Sequence, residues 1–247
     1  EEAGGLGLGM TDLCLILEQG GAGLMMEPLG AGAVAARAIG EGEPSETQSA
    51  LAASVMDGSK VVLPAIFEES YAADPADAET SAAPDGKGFR LSGTKCFIPA
   101  AAGADGYLVN AQGPQGSLLC HVAKDAGGVG VEMISSIDAG GTGTLILEDA
   151  HVAEGNIIAG ANRAVEITAR MNDRLLLGVG AELAGLMQKA LDITLEYLKV
   201  REQFDKPIGS FQALQHRAVD EFINVELVRS FVFQVAGAED TGRASAA

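Results

Sequence analysis

Arg201-Glu-Gln-Phe-Asp-Lys-Pro-Ile-Gly-Ser-Phe-Gln-Ala-Leu-Gln-His-Arg-Ala-Val-Asp220 sets a basic residue, two aromatics, a proline-glycine break and a helix start within one stretch. On its N-terminal side Leu183, Leu186, Met187, Ala190, Leu191, Thr194, Leu195 and Leu198 recur at i, i+3, i+4, i+7, which predicts a helix with one buried face. Phe211, Leu214, Ala218, Phe222, Val225 and Val232 carry the same period on the other side. Pro207 and Gly209 interrupt it between them, and Ser210 is placed to cap the second helix by accepting a backbone N–H. The stretch therefore reads as a tight reversal between two antiparallel helices, the first ending over residues 201–204.

The texture upstream is different. Residues 61–67 form a short apolar run, and 88–92, 95–98, 107–111, 117–122, 129–134 and 143–147 follow as strand candidates, with Pro84-Asp-Gly86 a turn signal. Short strands spaced by about 8–12 residues and separated by Gly and Asp turns predict a small antiparallel barrel or sandwich. Residues 1–60 read as helical, with Thr11, Leu13, Ile16 and Leu17 in one amphipathic segment and residues 33–39 in another. The expected organisation is α+β: a partial N-terminal helical domain (1–60), a middle β domain (61–160) and a partial C-terminal helical domain (161–247). Helical periodicity runs to about residue 236, and 237–247 read as a frayed tail.

A chain of 247 residues with 47% hydrophobic content can bury a large core. Its net charge of -18 excludes nonspecific nucleic-acid binding, which needs many Lys and Arg against phosphates. No apolar run reaches the length of a membrane span. Cys14, Cys96 and Cys120 are widely spaced and lack a Cys-x-x-Cys pair, and His121, His151 and His216 do not group with them. A metal site is therefore not expected, and a reduced, cytoplasmic protein is. Gly127-Gly-Val-Gly130 and Gly140-Gly-Thr-Gly143 do not lie between a strand and a helix and read as β turns.

The opening stretch resembles the Arg-x-x-Phe-Gly-Lys-Pro-Ile-x-x-Phe-Gln-x-x-Gln-His motif of the FAD-dependent acyl-CoA dehydrogenase family. Glu2-Ala-Gly-Gly-Leu-Gly-Leu, Leu91-Ser-Gly-Thr-Lys95 and Leu147-Glu-Asp-Ala-His-Val152 resemble further landmarks in the family's order. The layout is similar to the small subunits of heteromeric members such as pimeloyl-CoA dehydrogenase. The family would continue with more helices, so the C-terminal bundle reads as truncated, its apolar surface left for a partner or missing residues to cover.

The resemblance implies FAD as cofactor and an acyl-CoA substrate desaturated between its α and β carbons. It further implies a homo- or hetero-oligomer (dimer or tetramer, with a second dehydrogenase subunit in the heteromeric case) and electron-transfer flavoprotein as the acceptor. Arg201, Gln203, Phe204, Phe211 and Gln212 would hold the pyrophosphate and adenosine of a neighbouring subunit's flavin, because a guanidinium makes charge-assisted bonds to phosphate and an aromatic packs on adenine. The bland alternative is that Arg201 caps a helix C-terminus and both Phe are core residues. Asp205 stands where the family has Gly. Phe97 and Ile98 would face the flavin ring, beside Pro99, which has no hydroxyl or N–H to offer. Where the family has Thr-Glu-Pro and a Gly-Ser pair, this chain has Phe67-Glu-Glu-Ser70 and Tyr71-Ala-Ala-Asp74. Glu69 is the residue that survives this comparison, and a carboxylate at Glu68 is a poor neighbour for a reduced flavin. Asp173 matches the base position used by a minority of members, and Arg174 a family Arg near the substrate entrance. The alternative is that Asp173 is a solvated charge paired with Arg174 or a neighbouring turn. Two readings of the whole stay open: a competent dehydrogenase subunit, or a non-catalytic partner that lends its adenosine half-site to a neighbour.

Overall fold

The computed structural model describes residues 7–70, 78–136 and 140–242. The N-terminal helices are α1 (Met10–Ala22), α2 (Leu29–Glu41) and α3 (Glu46–Met56). The last begins at Ser45, whose Oγ accepts the Gln48 N–H at 3.1 Å. In α1 the buried side is Met10, Cys14, Leu17 and Glu18, while Ile16 is exposed, which corrects the expected Thr11–Leu13–Ile16–Leu17 face. The run from Leu13 to Leu17 is apolar on every side, so its period fixes a helix without fixing which face turns inward.

The strands are β1 (Val62–Ala65), β2 (Ser81–Asp85), β3 (Gly88–Pro99), β4 (Gly106–Gly113), β5 (Gly116–Ala123), β6 (Val129–Ile134), β7 (Thr142–Val152) and β8 (Ile157–Gly160). They form one 8-stranded sheet in the order β6-β7-β3-β2-β4-β5-β8, with β1 added on β4. The α+β expectation stands. The sheet is mixed rather than wholly antiparallel: β1 and β2 both run parallel to β4, because the β2–β3 hairpin acts as a crossover between them. The expected segments 88–92 and 95–98 are one strand, β3, interrupted by register shifts against β7.

Strand β4 shows how the middle region is built. Tyr107, Val109 and Ala111 point into one cluster with Leu63, Leu91, Ile98, Val122, Leu145 and Leu147. Leu108 points the other way and packs with Leu119 and Ile158 against Val34, Ile39, Ile167 and Met171 of the helices. A strand buried on both faces loses its polar alternation, which is why 107–111 reads as a continuous apolar run.

The C-terminal part comprises α4 (Ala161–Val200), the two-residue strands β9 (Glu202–Gln203) and β10 (Lys206–Pro207), and α5 (Gln212–Asp240). Three expectations are corrected here. Ser210 does not cap α5: its hydroxyl donates to the Pro207 carbonyl at 2.7 Å, and the residue before the helix is Phe211. Helix α5 extends through Asp240, so residues 237–240 are not part of a tail, while 243–247 lie outside the described residues. On α4 the inward positions are Ala181, Ala184 and Leu191, whereas Leu183 and Leu186 are exposed. Two apolar rows run along this helix, and the sequence period alone does not rank them.

The described residues divide into two compact units, one made of residue 7 with those in 26–175, the other of 8–25 with 176–242. In the second, Met10, Cys14 and Leu17 pack with Ala181, Val232 and Ala236. The Asp240 carboxylate accepts the Met10 and Thr11 N–H groups at 2.6 and 2.9 Å, neutralising orphan donors at the start of α1. A Cβ on Gly185 would lie 1.8 Å from the Glu18 carbonyl oxygen, so α1 and α4 touch backbone to backbone there.

Candidate functional site

In the second unit the opening stretch is a miniature hairpin. The Arg201 N–H closes the last helical bond to Tyr197 at 2.9 Å, and its carbonyl accepts the Ile208 N–H at 2.8 Å. Gln203 pairs with Lys206 and Glu202 with Pro207. Phe204 and Asp205 are left as a two-residue loop with φ of +54° and +62°. Positive φ at both central positions is the type I′ pattern, which favours Asn and Gly. A side chain larger than glycine's held there costs about 1–2 kcal/mol per residue.

That strained loop presents its ring rather than hiding it. Phe204 is 85% exposed, which removes the core-residue alternative for this side chain. It stands edge-on to the half-buried Phe211, with ring centroids 6.1 Å apart at 87°. Lys206 Nζ lies 4.4 Å from the Phe211 centroid. Arg201 is exposed, and among the described residues its side chain has no ion pair or hydrogen bond. The Gln203 amide donates only to its neighbour's carbonyl, and Gln212 is exposed in the first turn of α5. An uncommitted guanidinium, an ammonium and two aromatic edges are a donor set suited to a diphosphate carrying an aromatic base.

In the first unit, Phe97 and Ile98 sit at a bulge in β3. Lys95 pairs with Leu145 and Ile98 with Gly143, so one extra residue of β3 faces β7. Phe97 takes φ +60° and turns outward, 47% exposed, while Ile98 enters the core. Ile98 can therefore contribute backbone, not side chain, to a surface site. Phe67 is also exposed, and its carbonyl accepts the Cys96 N–H at 2.8 Å. Tyr71–Asp74 lie outside the described residues, as does Glu2 of the first landmark.

The expectation about Glu68 is corrected. Its carboxylate is buried and accepts Lys95 Nζ at 2.5 Å, Thr80 Oγ1 at 2.7 Å, and the Glu79 and Thr80 N–H groups at 2.6 and 2.9 Å. Lys95, fully buried, also donates to Asn110 Oδ1 at 2.7 Å. Burial alone would raise the Glu68 carboxyl; the bonds from Lys95, Thr80 and Glu79 outweigh it and hold the group below its usual range. Glu68 is thus a neutralised interior group, not a bare charge at the surface.

Asp173 and Arg174 part company on α4. Asp173 is exposed. Arg174 is 3% exposed and forks onto Glu41 of α2, Nη1 to Oε2 at 3.0 Å and Nη2 to Oε1 at 2.7 Å. Burial pushes the Glu41 carboxyl up, but Arg174, with Arg170 and Arg37 nearby, outweighs that and lowers it. Asp173 is the solvated charge of the alternative reading, but Arg174 is buried on Glu41 rather than paired with it. The partners Glu41, Glu68, Thr80 and Asn110 were missed from sequence because each is remote along the chain. The Leu91-Ser-Gly-Thr-Lys95 landmark was the one available pointer, since it marks Lys95. Among the described residues no group of His, Cys, Asp and Glu could hold a metal ion.

Residues 164–247 match the family model of the acyl-CoA dehydrogenase C-terminal domain. The acyl-CoA dehydrogenase FadE27 of Mycobacterium tuberculosis is 31% identical over 96% of this chain and 61% of its own length. The ChsE4-ChsE5 complex from Mycobacterium tuberculosis contains a chain with a TM-score of 0.88 and 30% identity, covering 98% of this chain and 64% of that one. The FAD complex of PigA superposes with a TM-score of 0.89 at 25% identity, covering 98% and 67%. The chain spans about three fifths of the length of the curated relative.

Proposed function

Because the chain belongs to the acyl-CoA dehydrogenase family, we propose that it is a subunit of an FAD-dependent enzyme that introduces an α,β double bond into an acyl-CoA thioester. The observation that carries the reading is the 201–212 hairpin, whose uncommitted Arg201 and exposed Phe204 have no task inside the fold. Arg201 and Lys206 would bind the pyrophosphate of a neighbouring subunit's flavin, with Phe204 and Phe211 against its adenosine and Gln203 and Gln212 supplying amide donors. Asp205 sets a carboxylate beside that site and moderates its pull on phosphate.

Phe97, with the backbone of Ile98, would flank the flavin ring. A bound flavin supplies the acceptor for the β-hydride. Asp173 would take the α-proton onto a carboxylate oxygen, and its exposed place on α4 leaves that oxygen free to meet a ligand. Arg174, committed to Glu41, would serve the substrate entrance by fixing the turn of α4 that carries Asp173.

The relative in the ChsE4-ChsE5 complex supports a hetero-oligomeric setting, and electron-transfer flavoprotein is the acceptor proposed with it. The exposed apolar row Leu176, Val179, Leu183, Leu186, Ile193 and Tyr197 on α4 supports association through this helix. Among the described residues no helix is long and apolar enough to cross a membrane. Cys14, Cys96 and Cys120 are free thiols, as a reducing compartment leaves them, which supports a cytoplasmic setting.

Asp173→Asn tests the assignment of the base. In the assembled enzyme it should lower turnover by about 10²–10⁴-fold with flavin content unchanged, the range expected for loss of a general base. Full activity excludes Asp173.

A further inference from the structure

Lys95 and Phe97 are two positions apart on β3, and in a regular strand both would face the same side of the sheet. They do not: Lys95 is fully buried and Phe97 is 47% exposed. The bulge between Lys95 and Ile98, with Phe97 in the left-handed region, makes the reversal. A buried ammonium is an expensive anchor, and it persists here because Glu68 and Asn110 receive it.

Glu68 in turn does more than neutralise Lys95. Its two oxygens take the N–H groups of Glu79 and Thr80, so one carboxylate ties the chain before residue 69 to the chain after residue 78. The exposed Phe67 precedes Glu68, and its carbonyl receives the N–H of Cys96, the residue between Lys95 and Phe97. The outward stance of Phe67 and Phe97 and the approach of Glu68 to Glu79 and Thr80 therefore converge on one interior pair.

We propose that the buried Glu68–Lys95 pair is the positioning element of the flavin-ring platform, fixing the bulge that turns Phe97 outward and holding Glu79 and Thr80 beside it. The proposal rests on the dehydrogenase reading for the identity of the ligand, but the placement it describes is a property of this chain's own residues. Neither side chain reaches the surface; both act through Phe67, Phe97 and the backbone of Glu79 and Thr80.

The test compares the full chain, assembled with its partner subunit if it has one, with Glu68→Gln and Glu68→Gln/Lys95→Met. The double variant removes both charges, so it avoids leaving one buried ion unpaired and keeps the experiment readable if a single variant fails to fold. The first readout is amide hydrogen exchange without flavin. Exchange should accelerate at least tenfold at Glu79, Thr80 and Cys96, with core amides of β4 and β5 unchanged. The second readout is FAD titration, where affinity should fall about tenfold and the bound-flavin absorption band should lose its resolved shoulder.

Uniform acceleration across β4 and β5 would reduce the pair to a general stabiliser and overturn the proposal. So would selective exchange with unaltered flavin affinity and spectrum. Failure of the wild-type assembly to bind FAD at all would instead defeat the dehydrogenase reading and with it the ligand named here, whereas the exchange pattern would still decide whether the pair fixes Glu79, Thr80 and the β3 bulge.

Discussion

His121 lies in β5 with its imidazole buried, and burial, aided by the charge of Lys60 and opposed by a bond with Asn156, pushes its pKa down to about 4. An unfolded His titrates near 6.5. Between those values the unfolded chain binds a proton that the folded chain refuses, so this residue's contribution is present above the upper value and is lost as pH falls through the window. From pH 7 to pH 5 the loss should be about 2 kcal/mol, at roughly 1.4 kcal/mol per unit. Urea unfolding of the wild type and His121→Gln at both pH values checks this. The wild type should lose about 2 kcal/mol more than the variant between them; equal losses would show that the imidazole is protonated in the fold.

At the scale of elements, the β9–β10 hairpin holds a residue its turn type does not favour. Asp tolerates the left-handed region better than most residues but less well than Gly. Asp205→Gly should raise stability by up to about 1 kcal/mol, read as a higher thermal midpoint. By removing a carboxylate beside the proposed phosphate site it should also tighten FAD binding. A lowered midpoint would mean that the Asp205 side chain stabilises the turn.

What was legible follows from the range of each interaction. The order helices, sheet, helices was readable, because period 3.6 and period 2 are local signals and α4 and α5 flank an unmistakable break. The turn residues were readable for the same reason. The inward row of α4 was not, since Leu183 and Ala184 both sit on apolar rows and burial chose the second. Nor was the stance of Phe97, because a bulge inverts the alternation from which a face is inferred. Glu68 was read as an uncompensated carboxylate beside a flavin because its donors, Lys95 and Thr80, come from β3 and from the residue before β2.

For the molecule as a whole, the charge of -18 repels a polyanionic cofactor unless a basic feature is reserved for it. On the proposed reading Arg201 and Lys206 supply that feature, on an exposed hairpin beside Phe204 and Phe211. The single most direct test is flavin absorbance per chain in the purified assembly, wild type against Arg201→Ala. Loss of one charge-assisted contact to phosphate corresponds to about 1.5–3 kcal/mol, a weakening of roughly ten- to a hundredfold. The account predicts bound flavin in the wild type and depleted flavin in the variant at equal folded fraction. Undiminished flavin in Arg201→Ala would contradict it.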